Sequence, residues 1–402
     1  MRILWVKADF LHPTTKGGHI RTLEMLKRLH RRHEIHFLAF EDPDHPEGVA
    51  RSSEYSSFCY PVAHRVPSKR SLGFAVQLAA GLVSPLPVAV ARYRSGAMRK
   101  KVGELLARGN FDRLVCDFLF PAPNIPDLAR AVLFEHNVES MIWRRHVEHA
   151  SGWARKSYFS LQARRMFAYE RRACREAGRV IAVSETDAAT IRSEFQAPRA
   201  DSIPTGVDVA FFARPAEEPP AQPAGLVFVG SMDWMPNTDG VQWFLTEILP
   251  LIHARIPQIQ VCVAGRRPSP EIAALARRFP QVTLTGTVPD IRPYLWNAQV
   301  SIVPLRIGSG TRLKIYESMA AGAPVVSTSV GAEGLPLSSG EHLLIADTPE
   351  SFAASCVTLL ESAEKRRAMA QRAWELVSAR FSWESVAQAF EALLDRAPRA
   401  SQ

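Results

Sequence analysis

Residues 300–328 read VSIVPLRIGSGTRLKIYESMAAGAPVVST and decide the fold of this 402-residue chain. The apolar run at 300–304 predicts a strand, and a loop containing Gly308 and Gly310 follows it. Residues 312–321 predict a helix, and residues 324–328 predict a second strand. A strand, a helix and a second strand in this order are typical of a parallel sheet covered by helices.

The same alternation extends outward in both directions. It predicts early strands at 2–6, 34–40, 113–116, 131–134 and 179–183, with an Arg-rich helix at 157–177. Four prolines between 213 and 225 interrupt it, and it restarts with strands at 226–229, 259–264 and 282–285. We therefore predict two doubly wound α/β domains, at 1–212 and 225–380, with a Pro-rich linker at 213–224 and a terminal helical segment at 381–402.

Charge is distributed unevenly along the chain. The composition, 47% hydrophobic and 22% charged, is that of a globular protein, and the formal net charge is +9. Residues 1–200 hold 32 basic and 20 acidic side chains, a net of +12, whereas the remainder holds 17 and 20, a net of −3. A basic half predicts an anionic partner, which could be nucleic acid, an acidic lipid surface or a phosphorylated substrate.

The cysteines and the apolar segments indicate where in the cell the protein is expected. The five scattered cysteines form no metal or redox pair, and the first residues lack the apolar core of a secretion signal, so we expect a cytoplasmic protein. Residues 72–91 carry no charge, but Pro85 and Pro87 interrupt them. They predict a buried or interfacial helix followed by a loop, in preference to a membrane-spanning helix.

The glycine loop at 307–317 is the densest cluster of candidate binding residues. Gly308 and Gly310 let the backbone approach a ligand, and the free amides of the following helix attract an anion. Arg312 and Lys314 add positive charge where it opposes the helix dipole unless an anion is bound. Glu317 could accept hydrogen bonds from sugar hydroxyls. A phosphate site is favoured over the alternative of a solvated helix start.

Four further patterns are more ambiguous. The loop with Gly17 and Gly18 fits either a ligand or a tight turn, because it lacks the spacing of a dinucleotide or P-loop motif. His136, after an apolar strand, could hydrogen-bond a sugar or exchange a proton, although most histidines do neither. The Asp-x-Asp pattern at 42–44 is better explained by a solvated turn than by a metal site. The basic stretch at 163–179 lacks the aromatic platform of a nucleic-acid site, so an exposed helix or an anionic membrane contact is preferred.

Taken together, the motifs resemble the group 1 glycosyltransferases, family four of the retaining enzymes with the GT-B fold. The resemblance covers nearly the whole chain. It rests on the Gly17-Gly18 loop, AVS at 182–184, IPTGVD at 203–208, FVGS at 228–231, VAG at 263–265, GTV at 286–288, GSGTRLKIYESMAAGAPVVSTSVGAEGL at 308–335 and FSWE at 381–384.

The resemblance implies two Rossmann-like domains facing a central cleft, with a C-terminal helix returning to the first domain. The second domain would bind a nucleotide-diphosphate sugar and the first an acceptor, with retention of anomeric configuration. By position Glu317 matches the glutamate that grips the donor ribose, and His136 matches the cleft histidine near the transferred sugar. Gly17 and Gly18 match the loop over the donor phosphates and the acceptor.

The predicted site follows from these matches. The expected catalytic residues are His136, Arg312 and Lys314. The expected donor-binding residues are Gly17, Gly18, Gly230, Gly308, Gly310, Thr311, Arg312, Lys314 and Glu317. No metal or other cofactor is expected, because Arg312, Lys314 and the helix amides can stabilise the departing diphosphate.

Two departures from the family pattern affect this prediction. Ser309 stands where the family commonly has a glutamate, and residues 230–237 lack the usual Arg and Lys. We therefore hypothesise that Arg312 and Lys314 take over the diphosphate.

The predicted function is transfer of a sugar from a nucleotide-diphosphate sugar to a saccharide or lipid-linked acceptor, in cell-surface polysaccharide or glycolipid biosynthesis. The location expected is cytoplasmic and peripheral on the inner face of a membrane, with an anionic membrane surface as a partner and no nucleic acid. Two alternatives stay open: a nucleotide-sugar epimerase on the same fold, and a non-catalytic nucleotide-sugar binding protein.

Overall fold

The chain folds into two compact units in a computed structural model. The structure describes residues 1–14, 17–64, 81, 84–148, 150, 152–216, 224–307 and 313–400. The first unit comprises Met1–Pro204 and Val386–Gln402, and the second comprises Thr205–Ser385.

The first unit alternates strands and helices, as the sequence predicts. Its strands are β1 (Arg2–Asp9), β2 (Glu34–Glu41), β3 (Phe58–Ala63), β4 (Arg113–Asp117), β5 (Ala131–Glu135), β6 (Arg179–Ala182) and β7 (Ala200–Ser202). Its helices are α1 (Gly17–Leu29), α2 (Glu47–Ala50), α3 (Val88–Ala91), α4 (Gly96–Arg108), α5 (Glu139–Glu148), α6 (Trp153–Glu176) and α7 (Glu185–Glu194). Short 3-10 turns lie at Ser52–Glu54, Ala122–Asn124 and Leu128–Arg130.

These seven strands form one parallel sheet in the order β3-β2-β1-β4-β5-β6-β7. Strand β1 lies between β2 and β4 and is buried along six of its eight residues, because helices cover both faces of such a sheet. In its register Lys7 lies opposite Asp117, the last residue of β4. The carboxyl ends of β1, β4 and β5 therefore meet at one edge.

The second unit has the same plan. Its strands are β8 (Ala224–Val229), β9 (Val261–Ala264), β10 (Val282–Gly286), β11 (Ala298–Val303), β12 (Val325–Ser327) and β13 (Leu344–Ile345). Its helices are α8 (Val209–Phe212), α9 (Met235–Trp243), α10 (Leu249–Arg255), α11 (Pro270–Ala276), α12 (Arg292–Trp296), α13 (Leu313–Ala320), α14 (Pro349–Glu361) and α15 (Ala363–Arg380). A π-helical turn at Phe244–Ile248 joins α9 to α10.

The second sheet is also parallel, in the order β10-β9-β8-β11-β12-β13. Strand β8 lies between β9 and β11, so the loops that follow these three strands emerge side by side. Two parallel sheets with covering helices are the pair of Rossmann-like domains that defines the GT-B fold class.

The division between the units falls earlier than the predicted linker at 213–224. Val207 donates its amide to Phe381 O (2.7 Å). Trp296 Nε1 donates to Phe212 O (2.6 Å), and both Val207 and Phe212 lie in a core of the second unit. These contacts attach the residues that precede the Pro-rich stretch to the second unit. Residues 217–223 lie outside the described part of the chain.

The last helix, α16 (Trp383–Asp395), contributes to the first unit from Val386 onward, and not from residue 381 as predicted. Phe390 is fully buried against Trp5 and Phe134, with ring centroids 5.6 and 5.1 Å away. The preceding turn instead belongs to the second unit, where the Trp383 ring lies 2.5 Å from where a Cβ on Gly206 would be.

Most of the uncharged segment at 72–91 lies outside the described residues, so its predicted helix is not described. Its end forms α3, preceded by Pro87. No helix in the described ranges has both the length and the hydropathy needed to span a bilayer.

Candidate functional site

A buried network occupies the edge where β1, β4 and β5 end. Asp117 accepts hydrogen bonds from Lys7 Nζ (2.7 Å), His136 Nε2 (2.7 Å), Trp5 Nε1 (2.8 Å) and Thr22 Oγ1 (2.8 Å). Its side chain is fully buried, and Lys7 and His136 are nearly so. Four donors from three elements converge on one carboxylate, so Asp117 is the centre of this network.

The network is built around an ionised carboxylate. Burial opposes ionisation of Asp117, yet the Lys7 ammonium and His136 hold its pKa well below the usual range. Hydrogen bonds to a charged acceptor in a buried site are among the stronger ones in proteins. Asp117 therefore fixes the positions of the four groups that donate to it.

His136 is held in one tautomer by its partners. Because an ionised Asp117 only accepts, Nε2 carries the proton, and Nδ1 is left to accept from Arg21 Nη1 at 3.2 Å. Burial lowers the pKa of His136 to about 4, in spite of the nearby Asp117. Burial likewise lowers the pKa of Arg21 to about 10. His136 is therefore neutral near pH 7, and it could exchange a proton only by giving up one of these bonds.

The glycine loop of the first unit lies against this histidine. A Cβ on Gly18 would be 3.4 Å from His136 Nδ1, whereas a Cβ on Gly17 would meet open space. The structure thus brings Gly18 together with His136, and residues 15 and 16 lie outside its description.

A second set of buried side chains, which the sequence did not predict, begins at Glu135, next to His136 in the chain. Glu135 ends β5 and is 1% exposed, and burial raises its pKa well above the usual range. Glu170 of α6 accepts hydrogen bonds from the amides of Glu139 (2.7 Å) and Ser140 (2.8 Å) at the start of α5. Burial raises the pKa values of Glu139 and Glu170 to about 7. Glu170 therefore caps α5 from another helix, which no local motif reveals.

The second unit brings together predicted residues from two loops. Lys314 Nζ donates to Asn237 Oδ1 (2.7 Å), and Asn237 Nδ2 donates to Ser231 O (2.8 Å). A Cβ on Gly230 would lie 2.8 Å from Lys314 Nζ, so a side chain at 230 would displace the ammonium. Lys314 Nζ also lies 4.5 Å from the centroid of the Phe228 ring. Gly230 and Lys314, which are 84 positions apart, are thus neighbours.

Glu317 lies three residues beyond Lys314 on α13. The side chain is partly buried, and burial raises its pKa to about 7, while Lys314 acts in the opposite direction. The other predicted residues of this loop, Gly308, Gly310, Thr311 and Arg312, lie outside the described part of the chain, as does Ser309.

The loop after β9 packs directly on the loop after β8. A Cβ on Gly265 would lie 1.8 Å from Gly230 O, so only glycine fits there. The amide of Met232 donates to Arg266 O at 2.9 Å. Residues 265–267 therefore lie next to the loop that contains Gly230.

This packing places two arginines that the sequence analysis did not single out. Arg266 Nε donates to Ser231 Oγ (2.9 Å), and Arg267 Nη1 donates to Asp233 Oδ2 (3.2 Å). Arg267 has φ +53, in the left-handed region that favours glycine. The loop at 230–237, which lacks the Arg and Lys usual in the family, thus has two arginines from the next loop beside it.

The Asp-x-Asp pattern forms a turn at the surface. The amide of Asp44 donates to Asp42 Oδ1 (3.0 Å), and both residues are exposed. This geometry is that of the solvated turn that we expected.

Models of two known families match successive parts of the chain. The family model described as Glycosyltransferase Family 4 matches residues 15–211, and the model described as Glycosyl transferases group 1 matches residues 223–362. The chain belongs to the group 1 glycosyltransferases. The family predicted from the motifs is confirmed.

The chain is similar in sequence to a mycobacterial mannosyltransferase and to an uncharacterised bacterial protein. A phosphatidyl-myo-inositol mannosyltransferase of Mycobacterium tuberculosis is 29% identical over 324 residues, 76% of this chain and 80% of that protein. An uncharacterised 44.6 kDa protein in the cps region of Klebsiella pneumoniae is 23% identical over 168 residues, 40% of this chain. For the Klebsiella protein and a Mycolicibacterium smegmatis mannosyltransferase, the match spans only about half of the relative's length, at 43% and 48%.

Solved structures confirm the fold of this glycosyltransferase. Sucrose-phosphate synthase from Thermosynechococcus elongatus has a TM-score of 0.68 at 16% identity, with 98% of both chains covered. The HepE protein of Anabaena, in complex with UDP, has a TM-score of 0.68 at 16% identity, with 98% of this chain and all of that chain covered.

Proposed function

We propose that this glycosyltransferase moves a sugar from a nucleotide-diphosphate sugar to a saccharide or lipid-linked acceptor, with retention of configuration, in cell-surface polysaccharide or glycolipid biosynthesis. The observation that carries the proposal is the position of Lys314. Its ammonium lies over Gly230, which has no side chain, and is held there by Asn237. A phosphate group could approach the backbone at Gly230 and bind the Lys314 ammonium there, at the carboxyl ends of parallel strands, where such sheets bind their ligands.

The chemistry needs stabilisation of the negative charge that develops on the departing diphosphate. Lys314, together with Arg312 and the first amides of α13, would supply it without a divalent metal. Arg266 and Arg267 would add positive charge from the neighbouring loop. Glu317 would accept hydrogen bonds from the donor ribose, a role that its partial burial and its place one turn after Lys314 support.

The acceptor would be bound by the first unit. The Asp117 network there would hold His136 and Arg21 rigidly, so that they present fixed groups to a sugar. The mycobacterial relatives are named as phosphatidyl-myo-inositol mannosyltransferases, which supports a lipid-linked acceptor. The net charge of +12 in residues 1–200 supports a cytoplasmic protein that is peripheral on an anionic membrane surface.

Donor binding is tested by calorimetry with UDP and GDP. A thermal-shift panel of nucleotide-diphosphate sugars first selects the base, since a ligand of the native state raises its stability. Lys314→Ala is expected to weaken diphosphate binding about tenfold, and Arg266→Ala about threefold. Arg277→Ala, an exposed arginine in the same unit, is the matched control and should leave the affinity unchanged. Equal affinities in all four proteins would refute the site.

Transfer is separated from the two alternatives by its products. A transferase releases free nucleoside diphosphate only when an acceptor is supplied. Conversion of the donor sugar without an acceptor would instead establish an epimerase. Donor binding with neither reaction, across a panel of saccharide and lipid-linked acceptors, would establish a binding protein.

A further inference from the structure

A row of aromatic rings leads away from His136 in the first unit. The ring of Phe118, the residue after β4, lies edge-on to His136, with 5.3 Å between the ring centroids. The Phe120 ring lies 4.7 Å from that of Phe118. Tyr93 stacks on Phe120 at 5.4 Å, with an angle of 25° between the rings. The side chains of Phe118, Phe120 and Tyr93, which we call the aromatic row, are all partly exposed.

The backbone of Phe118 is unusual for a residue with a side chain. Its φ is +83, in the left-handed region that a bulky residue rarely adopts and that glycine adopts without strain. Two hydrogen bonds hold it there: its amide donates to Phe134 O (2.8 Å), and its carbonyl accepts from Cys116 Sγ (3.4 Å). The backbone alone would favour glycine, so its conformation does not account for a phenyl ring at this position. Strain of this kind is concentrated at ligand-binding sites.

A buried asparagine joins the two loops that carry the aromatic row. Asn124 is fully buried and lies in the 3-10 turn that follows Phe120. Its Nδ2 donates to Tyr93 O (2.8 Å), and its Oδ1 accepts from the amide of Ser95 (2.8 Å). The loop of Tyr93 is thus tied to the loop of Phe120. Rings held in this way lose little conformational freedom when a ligand binds.

Polar groups stand at both ends of the aromatic row. His136 is at one end. At the other, burial raises the pKa of Tyr93, and the nearby charge of Asp9 raises it further. Asp9 ends β1, the neighbour of β4 in the sheet, and its side chain is 41% exposed, with Oδ2 3.5 Å from His19 Nε2. The aromatic row therefore runs between an imidazole and a carboxylate.

This combination of surfaces matches the chemistry of a sugar ring. A pyranose has an apolar face of C–H groups, which packs on the electron-rich face of an aromatic ring, and hydroxyls at its rim. A carboxylate such as Asp9 accepts hydrogen bonds from those hydroxyls. A hydrocarbon chain would desolvate Asp9 and His136 without giving them hydrogen bonds, which is unfavourable. The surface therefore suits a saccharide better than a lipid chain.

We propose that the aromatic row is a saccharide-binding site, in which Phe118 and Phe120 pack on a sugar ring of the acceptor next to His136. Asp9 accepts hydrogen bonds from the hydroxyls of that sugar at the Tyr93 end. The proposal rests on the proposed function in one respect, because it takes the bound saccharide to be the acceptor of the transfer. It makes no use of the donor site.

The test is saturation-transfer NMR on the full chain, with the methyl glycosides of glucose, galactose, mannose and rhamnose as probes. Irradiation of the aromatic protons should transfer saturation to the ring C–H protons of at least one glycoside. Octyl glucoside, the probe for a lipid chain, should receive no more saturation on its octyl protons than on its sugar ring.

Variants assign the binding to the aromatic row. Phe118→Gly removes the ring and suits the backbone, and Phe118→Leu keeps an apolar side chain without the ring. Both should bind the selected methyl glycoside about three- to tenfold more weakly than the native protein. Phe58→Leu is the matched control, because the Phe58 ring is 51% exposed and stacks on His36 at 4.7 Å in the same unit. Its affinity should equal that of the native protein.

Equal affinities of the two Phe118 variants and the Phe58 control would overturn the proposal. Saturation confined to the octyl chain, or absent from every methyl glycoside, would overturn it as well. Circular dichroism establishes that each variant is folded, and the affinity of Phe118→Leu for UDP should equal that of the native protein. If the native protein bound no nucleotide-diphosphate sugar, the proposed function would fail, and the glycoside experiment would still decide whether the aromatic row binds a saccharide.

Discussion

At the scale of single residues, Asp117 accepts hydrogen bonds from four side chains of the first unit. It closes an apolar strand, RLVCD, so a polar residue at the carboxyl end of a strand was visible in the sequence. The sequence did not show that Lys7, Thr22 and His136 converge on it, because these partners lie up to 110 positions away. The strand order β1-β4-β5 brings Lys7 and His136 to Asp117, and helix α1 contributes Thr22.

Replacing Asp117 by Asn should destabilise the protein strongly. The change would leave the Lys7 ammonium buried without its counter-charge, which typically costs about 3–5 kcal/mol. Chemical denaturation measures this loss in the free energy of unfolding. Asp44→Asn, in the exposed turn of the same unit, should change stability by about 0.5 kcal/mol or less. Similar values for the two variants would show that the Asp117 network does not stabilise the fold.

At the scale of elements, most helices and strands followed from apolar periodicity. The helix predicted at 157–177 is α6, Trp153–Glu176, and the one predicted at 312–321 is α13, Leu313–Ala320. The observed helix ends differ from the predicted ones by a few residues, because the position of a helix end depends on its caps and tertiary contacts. Helix α5 shows this dependence, since its first amides are satisfied by Glu170 of α6 and not by a local capping residue.

The junction of α5 and α6 should make stability fall as pH rises from about 5 to 8. Glu139 is 8% exposed, and burial raises its pKa to about 7. Between its ordinary pKa and this value, the native state binds more protons than the unfolded state, so raising the pH favours unfolding. Glu139→Gln removes this contribution. The variant should gain stability relative to the native protein as pH rises, by about 1–3 kcal/mol between pH 5 and pH 8.

Thermal or urea unfolding at several pH values measures this difference. The difference in unfolding free energy between Glu139→Gln and the native protein at pH 5 measures how well the amide packs in place of the carboxyl group. The change in that difference with pH measures the effect of the carboxylate charge. Glu148→Gln, at the exposed end of the same helix, should show no such trend. A constant difference between Glu139→Gln and the native protein at all pH values would contradict the prediction.

At the scale of the whole molecule, the two ends of the chain meet in one core. Phe390 of α16 packs on Trp5 of β1, although 385 positions separate them. Phe390→Ala should therefore destabilise the first unit by about 3–5 kcal/mol. Urea unfolding of the full chain, followed by circular dichroism, measures this loss. Phe58→Ala, at a ring that is 51% exposed, should cost much less, and equal losses would argue against this core.

The sequence by itself determined the family and the two parallel α/β domains, and it predicts a phosphate site in the loop before α13. These features are set by local order, by apolar periodicity and by a continuous motif. Only the tertiary structure decided that Asp117 centres the network around His136, that Asn237 holds Lys314, and that Arg266 and Arg267 stand beside the loop lacking its own cations. The reason is physical: parallel strands join residues that are distant in the chain, and the strand order that selects them is fixed by packing of the whole sheet.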